Sequence, residues 1–523
     1  MRKKYASAKG NGFKDKAGFP AFIWEQGTEI YLVIMLAVYP LFMGRGYEEL
    51  VFKKWALFLY ASLAYVAVCA ACGAAVFFGK RGKERKAWVV TDWFVLAYVA
   101  AVLISYAGAY DRETALWGID TWYMGLVTQL LLAGIYFGIS RGHKELKYLK
   151  ILTAVVGVLV GGIVMLQRFN IDVAYLYRGF GEDVKLDFVT TLGQVTWSSS
   201  YISILLIAGM GIYYLEEGKR EKLFWGSCIG IGFAVEMLLN CDSGMIAILA
   251  AWMVMLWLAV GSRKRLLALT EIVMISLAAM AVVGLPERIF GSRMVPIDAV
   301  YLKAAQSWEV YGLLAAAAVF YLLVKKDWIH GDAKKGTVRL LRGIYILLVG
   351  LAIVGVVILF ILHGKGYYSG SPTENYFRFT IWWGNSRGFI WRTGAAVFTD
   401  FNVWRKLFGC GPDCFTPYSY QLMGDAINEF WSNQVVPNVH NEWFNGLINY
   451  GIIGGAAYLG IFLSAAYRLM KSALEGKGAV VFGAGLAAAG YIAHNVLCYQ
   501  QIIGTPLIFI LLGIGVAGIR KEA

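Results

Sequence analysis

The feature that most constrains this chain is a series of long apolar runs separated by short polar loops. A helix that crosses a bilayer needs about 20 consecutive apolar residues. The sequence holds about fourteen candidate runs, and 59% of its 523 residues are hydrophobic against 16% that are charged. We therefore predict an all-α polytopic membrane protein with twelve to fourteen spans. The predicted spans are 28–43, 55–78, 87–107, 119–139, 151–167, 195–215, 223–240, 243–260, 266–285, 309–324, 343–362, 444–467, 478–497 and 505–519.

Basic residues are divided unequally between the two alternating sets of loops. Fourteen spans would put both termini on one side, and the loops and termini on that side carry 32 of the 48 Lys and Arg residues. Cytoplasmic loops are enriched in Lys and Arg. We therefore predict a protein of the cytoplasmic membrane with both termini in the cytoplasm. The same loops account for the net charge of +14, so nucleic acid is not an expected partner.

One loop is far longer than the others and lies on the predicted outer face. Residues 363–443 include 19 aromatic side chains, six basic and six acidic residues. A segment with that composition can bury itself, so we expect a folded cap with short helices. Its rings could anchor at the membrane interface or stack on sugars. The expected organisation is a helical region over 1–362 with about eleven spans, an extracytoplasmic catalytic loop over 363–443, and about three spans over 444–523.

Two histidines are placed by this topology near the outer surface. His440 ends the long loop directly before an apolar run, and His494 lies near the outer end of the span 478–497. An ionisable residue within a membrane is a candidate functional group. The simpler alternatives are that Asn441 is a helix cap with His440 as its polar neighbour, and that His494 is a buried structural residue.

Two arginines of the long loop, Arg387 and Arg392, lie in the stretch NSRGFIWRTGAAVF. If this stretch is helical, five residues correspond to about 140° between the two side chains. A guanidinium group matches the oxygens of a phosphate with two parallel hydrogen bonds. The arginines could therefore bind an anion, or they could contact lipid headgroups or pair with Asp400 or Glu374.

The stretch from Ser386 to Gly455 resembles the O-antigen ligase/polymerase superfamily of membrane glycan transferases, also described as O-antigen ligase-related. Three motifs carry the resemblance in the family's order and spacing. They are SRGFIW over 386–391, GCGPDCF over 409–415, and HNEWFNGLINYGIIGG over 440–455. The resemblance covers about 70 residues closely and implies a GT-C-like fold.

The resemblance implies a glycosyltransferase of polysaccharide biosynthesis in the cell envelope. Such an enzyme moves a saccharide from a polyprenyl-diphosphate carrier, such as undecaprenyl diphosphate, to an acceptor hydroxyl at the outer face. Its partners would be a lipid-linked oligosaccharide donor, a glycan, lipid or wall acceptor, and membrane lipids, with no metal and no cofactor. The residues that the motifs assign are His440 and Arg387 as catalytic residues, and Arg392, Asn441, Gly409, Gly411 and His494 as substrate-binding residues.

The chain departs from the family pattern at one outer hairpin. Family members often have Ser-Arg at the start of the following helix, whereas this chain has Asp242, Ser243 and Gly244 and no arginine. The phosphate-binding arginine of that position is therefore missing. Another outer-loop arginine could replace it, and the candidates are Arg178, Arg288 and Arg293.

Two other functions remain open from the sequence. A transporter or flippase of lipid-linked glycans also fits many apolar helices, although no half-repeat is evident. The peptidoglycan-polymerising family has a comparable layout and uses an acidic residue in an outer loop, for which Asp413 and Asp425 are available. Within the favoured class, ligase and polymerase are not distinguished.

Cys410 and Cys414 on the same face could form a disulfide or remain two free thiols.

Overall fold

The computed structural model of the protein describes residues 18–78, 87–142, 147–181, 185, 187–295, 300–371, 373–432 and 435–520. Each predicted span overlaps one long helix. In chain order these are α1 (Phe19–Leu41, with a π turn over Ile34–Val38), α2 (Tyr47–Phe78), α3 (Val90–Ala107), α4 (Leu126–Gly142), α5 (Lys147–Arg168), α6 (Val195–Leu215), α7 (Lys219–Leu239), α8 (Asp242–Ala259), α9 (Arg263–Phe290), α10 (Glu309–Lys325), α11 (Lys335–Gly364), α12 (Glu442–Ser472), α13 (Ala479–His494) and α14 (Thr505–Arg520).

The fold is that of an all-α polytopic membrane protein, as predicted. Within the described ranges, ten of the helices are long and apolar enough to cross a bilayer, and α4, α13 and α14 are shorter apolar helices. The 17-residue helix α10 belongs to neither group. Helix α4 begins seven residues later than predicted. The backbone before it is left-handed at Gly118, Thr121 and Tyr123, which a continuous helix does not allow.

Short elements connect the long helices. Two of them begin at polar caps, where the Asp111 and Asn402 side chains accept hydrogen bonds from backbone amides in the first turn. The short helices are Arg112–Trp117, Val300–Gln306, Glu374–Phe377, Trp383–Asp400, Val403–Phe408 and Phe415–Trp431, with single turns at Val173–Tyr175, Gly291–Arg293 and Ala473–Lys477. Strands β1 (Phe188–Val189) and β2 (Gly193–Gln194) pair antiparallel, with Phe188 opposite Gln194.

Helix α6 lies at the centre of the bundle, because 83% of the residues in its 18-residue apolar stretch are buried. It approaches α13 through small residues on both sides. A Cβ atom added to Gly211 would lie 2.7 Å from the Cα atom of Gly483, so the two backbones are nearly in contact. Small residues permit such close packing between membrane helices, where the hydrophobic effect contributes little to association.

Hydrogen bonds and ion pairs connect neighbouring segments at each of the two ends of the bundle. At the end where α6 begins, the Tyr39 hydroxyl donates to the carbonyl of Ile502, and the Ser105 hydroxyl donates to the carbonyl of Asn449. At the opposite end, about 30 Å away along α6, Lys150 pairs with Glu221. Lys150 and Glu221 come from two loops predicted to lie on the same side, so those two loops meet in the fold.

The segment between α11 and α12 forms a cap with its own core at the end where α6 begins. Ile390, Phe401, Phe415 and Ile427 are buried in one cluster of this core, and Ile448 of α12 completes it. The cap is thus packed onto the head of α12. That packing decides where the side chains of the long loop meet the bundle.

Candidate functional site

The cap docks on an interruption in α12. Gly451 has φ +69°, which breaks the helix and frees the carbonyl groups of the turn before it. The amide of Cys410 donates to the carbonyl of Ile448 at 3.0 Å, and the amide of Gly411 donates to that of Asn449 at 3.2 Å. The turn of the cap and the broken helix therefore satisfy each other's backbone groups.

The two glycines of this turn have no room for a side chain. Gly409 and Gly411 have φ +83° and +116°. A Cβ atom on Gly409 would lie 2.2 Å from the carbonyl oxygen of Asn449, and one on Gly411 would lie 2.7 Å from the Cβ atom of Ala109. Gly409 faces the backbone of α12 and Gly411 faces Ala109, so both shape the cap and position the site.

Arg387 emerges from a left-handed turn. Residues 384–386 have φ between +58° and +66°, and the right-handed helix begins at Arg387. One terminal nitrogen of its guanidinium donates to the carbonyl of Gly384 at 2.7 Å, and the other donates to that of Leu497 at 3.0 Å. Its Nε atom is buried and has no hydrogen-bond partner among the described residues. The guanidinium is therefore held against the loop between α13 and α14 by two of its five N–H donors.

His440 reaches the same loop from the other end of the cap. Its backbone is left-handed, with φ +52°, and its amide donates to the side-chain oxygen of Asn438 at 2.8 Å. Its ring lies 5.0 Å from the ring of Tyr499. Loss of hydration and the nearby charge of Arg387 lower the pKa of His440 to about 3. The structure thus brings the two predicted catalytic side chains together at one end of the bundle.

The other two predicted polar residues have structural partners. Asn441 is a helix cap, because its side-chain oxygen accepts the amide of Phe444 at 3.1 Å. His494 is only 1% exposed, and its Nε2 atom lies 3.1 Å from the hydroxyl of Ser243. A Ser–His contact therefore occupies the place where the family resemblance leads one to look for an arginine.

Glu442 is a buried acidic residue that the sequence analysis did not assign to the site. Its amide donates to the carbonyls of Asn495 and Cys498, and one carboxylate oxygen accepts the amide of Gln500 at 2.7 Å. The other carboxylate oxygen is buried with no partner in the described part of the chain. The sequence does contain a feature that could have identified Glu442. This acidic residue follows the His-Asn pair directly and begins an apolar helix.

The remaining arginines do not join Arg387 in the described structure. Arg392 is exposed, and its guanidinium lies over the ring of Phe379 at 5.9 Å. Arg288 lies over the ring of Trp308 at 4.4 Å. Exposed side chains are also found at Arg178 and Arg293. The expected assistance from Arg392 is therefore not supported by its position.

The two acidic candidates of the alternative enzyme family lie in different environments. Asp413 is 4% exposed, and one carboxylate oxygen accepts the amides of Ile119 at 2.9 Å and Met124 at 3.4 Å. Burial raises the pKa of Asp413 to about 6. Asp425 is exposed. Asp413 therefore ties the loop between α3 and α4 to the turn of the cap.

The two cysteines of this turn are buried free thiols in the structure. The thiol of Cys414 donates to the carbonyl of Asp111 at 3.3 Å, and burial raises the pKa of Cys414 to about 12. Of the two states left open by the sequence, the structure therefore has the reduced one. Among the described residues, no group of three or more His, Cys, Asp or Glu side chains could hold a metal ion.

No protein-family model and no curated protein sequence matches this chain. The fold defines its class, an all-α multi-pass membrane protein. The site at one end of the bundle adds a convergent arginine and histidine to that description.

Proposed function

We propose that this protein transfers a saccharide from a polyprenyl-diphosphate carrier to an acceptor hydroxyl, as a ligase or polymerase of surface polysaccharides. The reaction is assigned to the outer face of the cytoplasmic membrane, with both termini in the cytoplasm and a GT-C-like arrangement of helices. The observation that carries the proposal is the contact of Arg387 and His440 with the same loop segment. They are 53 residues apart in the cap, yet both contact the segment 497–499.

Arg387 is suited to the leaving group of this reaction. The bond between the sugar C1 atom and the diphosphate oxygen breaks, and negative charge grows on the diphosphate. A fixed guanidinium stabilises that charge without first having to reorganise, an effect typically worth about 10²–10³ in rate. The two carbonyl contacts hold the group in place and use two of its five N–H donors, and the side chain is partly exposed, which leaves donors for a phosphate oxygen.

His440 is suited to the acceptor hydroxyl. Its imidazole is neutral at neutral pH, and a neutral ring nitrogen has a lone pair that can accept a proton. Burial and the charge of Arg387 lower the pKa of His440 to about 3, so they weaken it as a base and do not themselves favour this role. As the hydroxyl oxygen attacks C1, its proton passes to the imidazole while the diphosphate leaves. A positioned general base contributes typically about 10²–10⁴ in rate. The ring contact with Tyr499 orients the imidazole for this step.

An apolar groove supports the assignment of a lipid carrier. The groove has a volume of about 570 Å³ and lies between α5, α6 and α7. It follows α6 from Ile202 to Ile212, about 15 Å along the helix, and Lys150 lies at its far end. Ile202 is one turn below Ser198, near the end of the bundle that carries the site. The groove is therefore apolar and long enough to hold part of a polyprenyl tail.

The test is glycan transfer by the full-length protein in liposomes with a polyprenyl-diphosphate-linked sugar and a glycan acceptor. We expect Arg387→Ala and His440→Ala each to lower the rate of transfer at least about 100-fold. Arg392→Ala is the matched control, since Arg392 lies on the same helix but is exposed, and its rate should stay within about threefold of wild type.

Two results would contradict the proposal. One is a near-normal rate in both site variants with confirmed membrane insertion. The other is movement of the lipid-linked sugar across the bilayer without any new glycosidic bond, which would favour the flippase alternative.

A further inference from the structure

A second cavity opens at the same end of the bundle, beside the loop between α3 and α4. Its volume is about 800 Å³. Its walls combine aromatic rings with two carboxylates. The residues that carry the argument are Trp55, Trp117, Trp122, Tyr123, Glu113 and Asp120. We refer to this cavity as the aromatic cleft.

The rings of the aromatic cleft are held by one another. Trp55 stacks on Tyr123 with ring centroids 4.4 Å apart, and Trp117 meets Trp55 edge to face at 6.4 Å. Trp117 nevertheless remains 44% exposed, so much of its surface is accessible. A rigid, partly exposed aromatic platform can bind the apolar faces of a sugar ring with little loss of side-chain freedom.

The charge of the aromatic cleft is negative. Glu113 and Asp120 are exposed at its wall, and no Lys or Arg is among the described residues that line it. Carboxylates accept hydrogen bonds from hydroxyl and ammonium groups and repel anions. These groups favour a neutral or amino sugar over a uronic acid or a phosphorylated sugar.

The aromatic cleft is connected to the candidate site by a single ring. Trp122 of the cleft lies 6.0 Å from the ring of Tyr499, and Tyr499 packs against His440. The indole nitrogen of Trp122 is buried without a partner in the described part of the chain. Along this series of contacts, His440 lies between Arg387 and the cleft.

Hydrogen bonds to the Asp413 carboxylate fix the position of the loop between α3 and α4. Asp413 belongs to the cap, and its carboxylate accepts the amides of Ile119, within the segment that lines the cleft, and of Met124, directly after it. The cleft segment is therefore hydrogen-bonded to the turn that docks on α12.

From this arrangement we propose that the aromatic cleft binds the acceptor saccharide, a chain of neutral or amino sugars, with Trp117 stacking on a ring and Glu113 and Asp120 accepting from its hydroxyl or ammonium groups. The inference rests on the proposed transfer function. If Arg387 holds the departing diphosphate, the far side of the base His440 is where the attacking hydroxyl must arrive. Membrane anchoring of the same tryptophans is the competing explanation.

The experiment measures binding and needs no turnover. Saturation-transfer NMR is recorded on the full-length protein in lipid nanodiscs with maltohexaose, a glucosamine hexamer or hexagalacturonate. We expect the saturation-transfer signals of maltohexaose and of the glucosamine hexamer to exceed the signal of hexagalacturonate at least threefold. Trp117→Ala should lower both signals at least fivefold, and Glu113→Gln should lower the glucosamine signal at least threefold.

Two controls separate this inference from the proposed function. Trp328→Ala removes an exposed tryptophan outside the cleft and should leave every signal unchanged. Arg387→Ala should abolish transfer of the lipid-linked sugar yet retain saccharide binding. The inference is overturned if neither neutral nor amino probe binds, if hexagalacturonate binds as well as they do, or if Trp117→Ala and Glu113→Gln both leave the signals intact.

Discussion

At the scale of single residues, the fold separates two arginines that look equivalent in the sequence. Arg387 and Arg392 lie on one short helix, but the first points to the carbonyl of Leu497 and the second is exposed over Phe379. The angle of about 140° between them follows from helical geometry. Which of the two faces the bundle is set by the left-handed turn at residues 384–386.

The lowered pKa of His440 gives a prediction for stability against pH. The unfolded chain titrates this group near 6.5, whereas the folded chain titrates it at about 3. Between those values the unfolded chain binds a proton that the folded chain does not, so acidification favours unfolding. We expect Tm to fall from pH 7 to pH 5, and to fall less in His440→Gln.

The control for this measurement is His330→Gln, which removes an exposed histidine of the loop between α10 and α11. Its Tm should follow the wild-type profile between pH 7 and pH 5. Identical profiles for His440→Gln and wild type would show that the protonation of His440 is not coupled to folding in this range.

At the scale of elements, the decisive feature is the interruption of α12. The run 444–467 predicts one continuous span, and the structure has a helix broken at Gly451. The break exposes carbonyl groups that receive the amides of Cys410 and Gly411. A local defect in one helix thus becomes the docking point of the cap.

Gly451→Ala tests this coupling. A Cβ atom there would lie 2.3 Å from the backbone of Leu407, and left-handed backbone in a residue other than glycine costs about 1–3 kcal/mol. We expect a lower Tm and a loss of transfer activity, because the cap must shift. Gly446→Ala is the matched control on the same helix, where the nearest atom would be 3.7 Å away. Equal Tm values for the two variants would contradict this account of the break.

At the scale of the whole molecule, the two ends of the bundle differ in what they bring together. One end gathers the cap, the aromatic cleft and the loop between α13 and α14. The other holds ion pairs such as that of Arg520 with the buried Asp92. The excess of basic residues near that second end predicts that it faces the cytoplasm.

Cysteine labelling tests the orientation. Ser369 lies in the exposed segment after α11, and Lys335 is exposed at the start of α11. We expect a membrane-impermeant maleimide to label Ser369→Cys in intact cells, and Lys335→Cys only after the membrane is made permeable. The parent protein is the background control. The reverse pattern would place the cap on the cytoplasmic side and remove the basis for transfer at the outer face.

The sequence by itself determined the class of fold, because apolar runs of spanning length leave a chain few alternatives to a helical bundle. It also predicted the long loop and singled out Arg387 and His440. Only the tertiary structure decided that these two side chains reach the same loop, that Arg392 points away, that the buried Glu442 holds that loop, and that the aromatic cleft lies behind Tyr499. Each of these depends on contacts between residues far apart in the chain. Apolar periodicity and loop charge report which segments cross the membrane, but they carry no information about which helices and loops become neighbours.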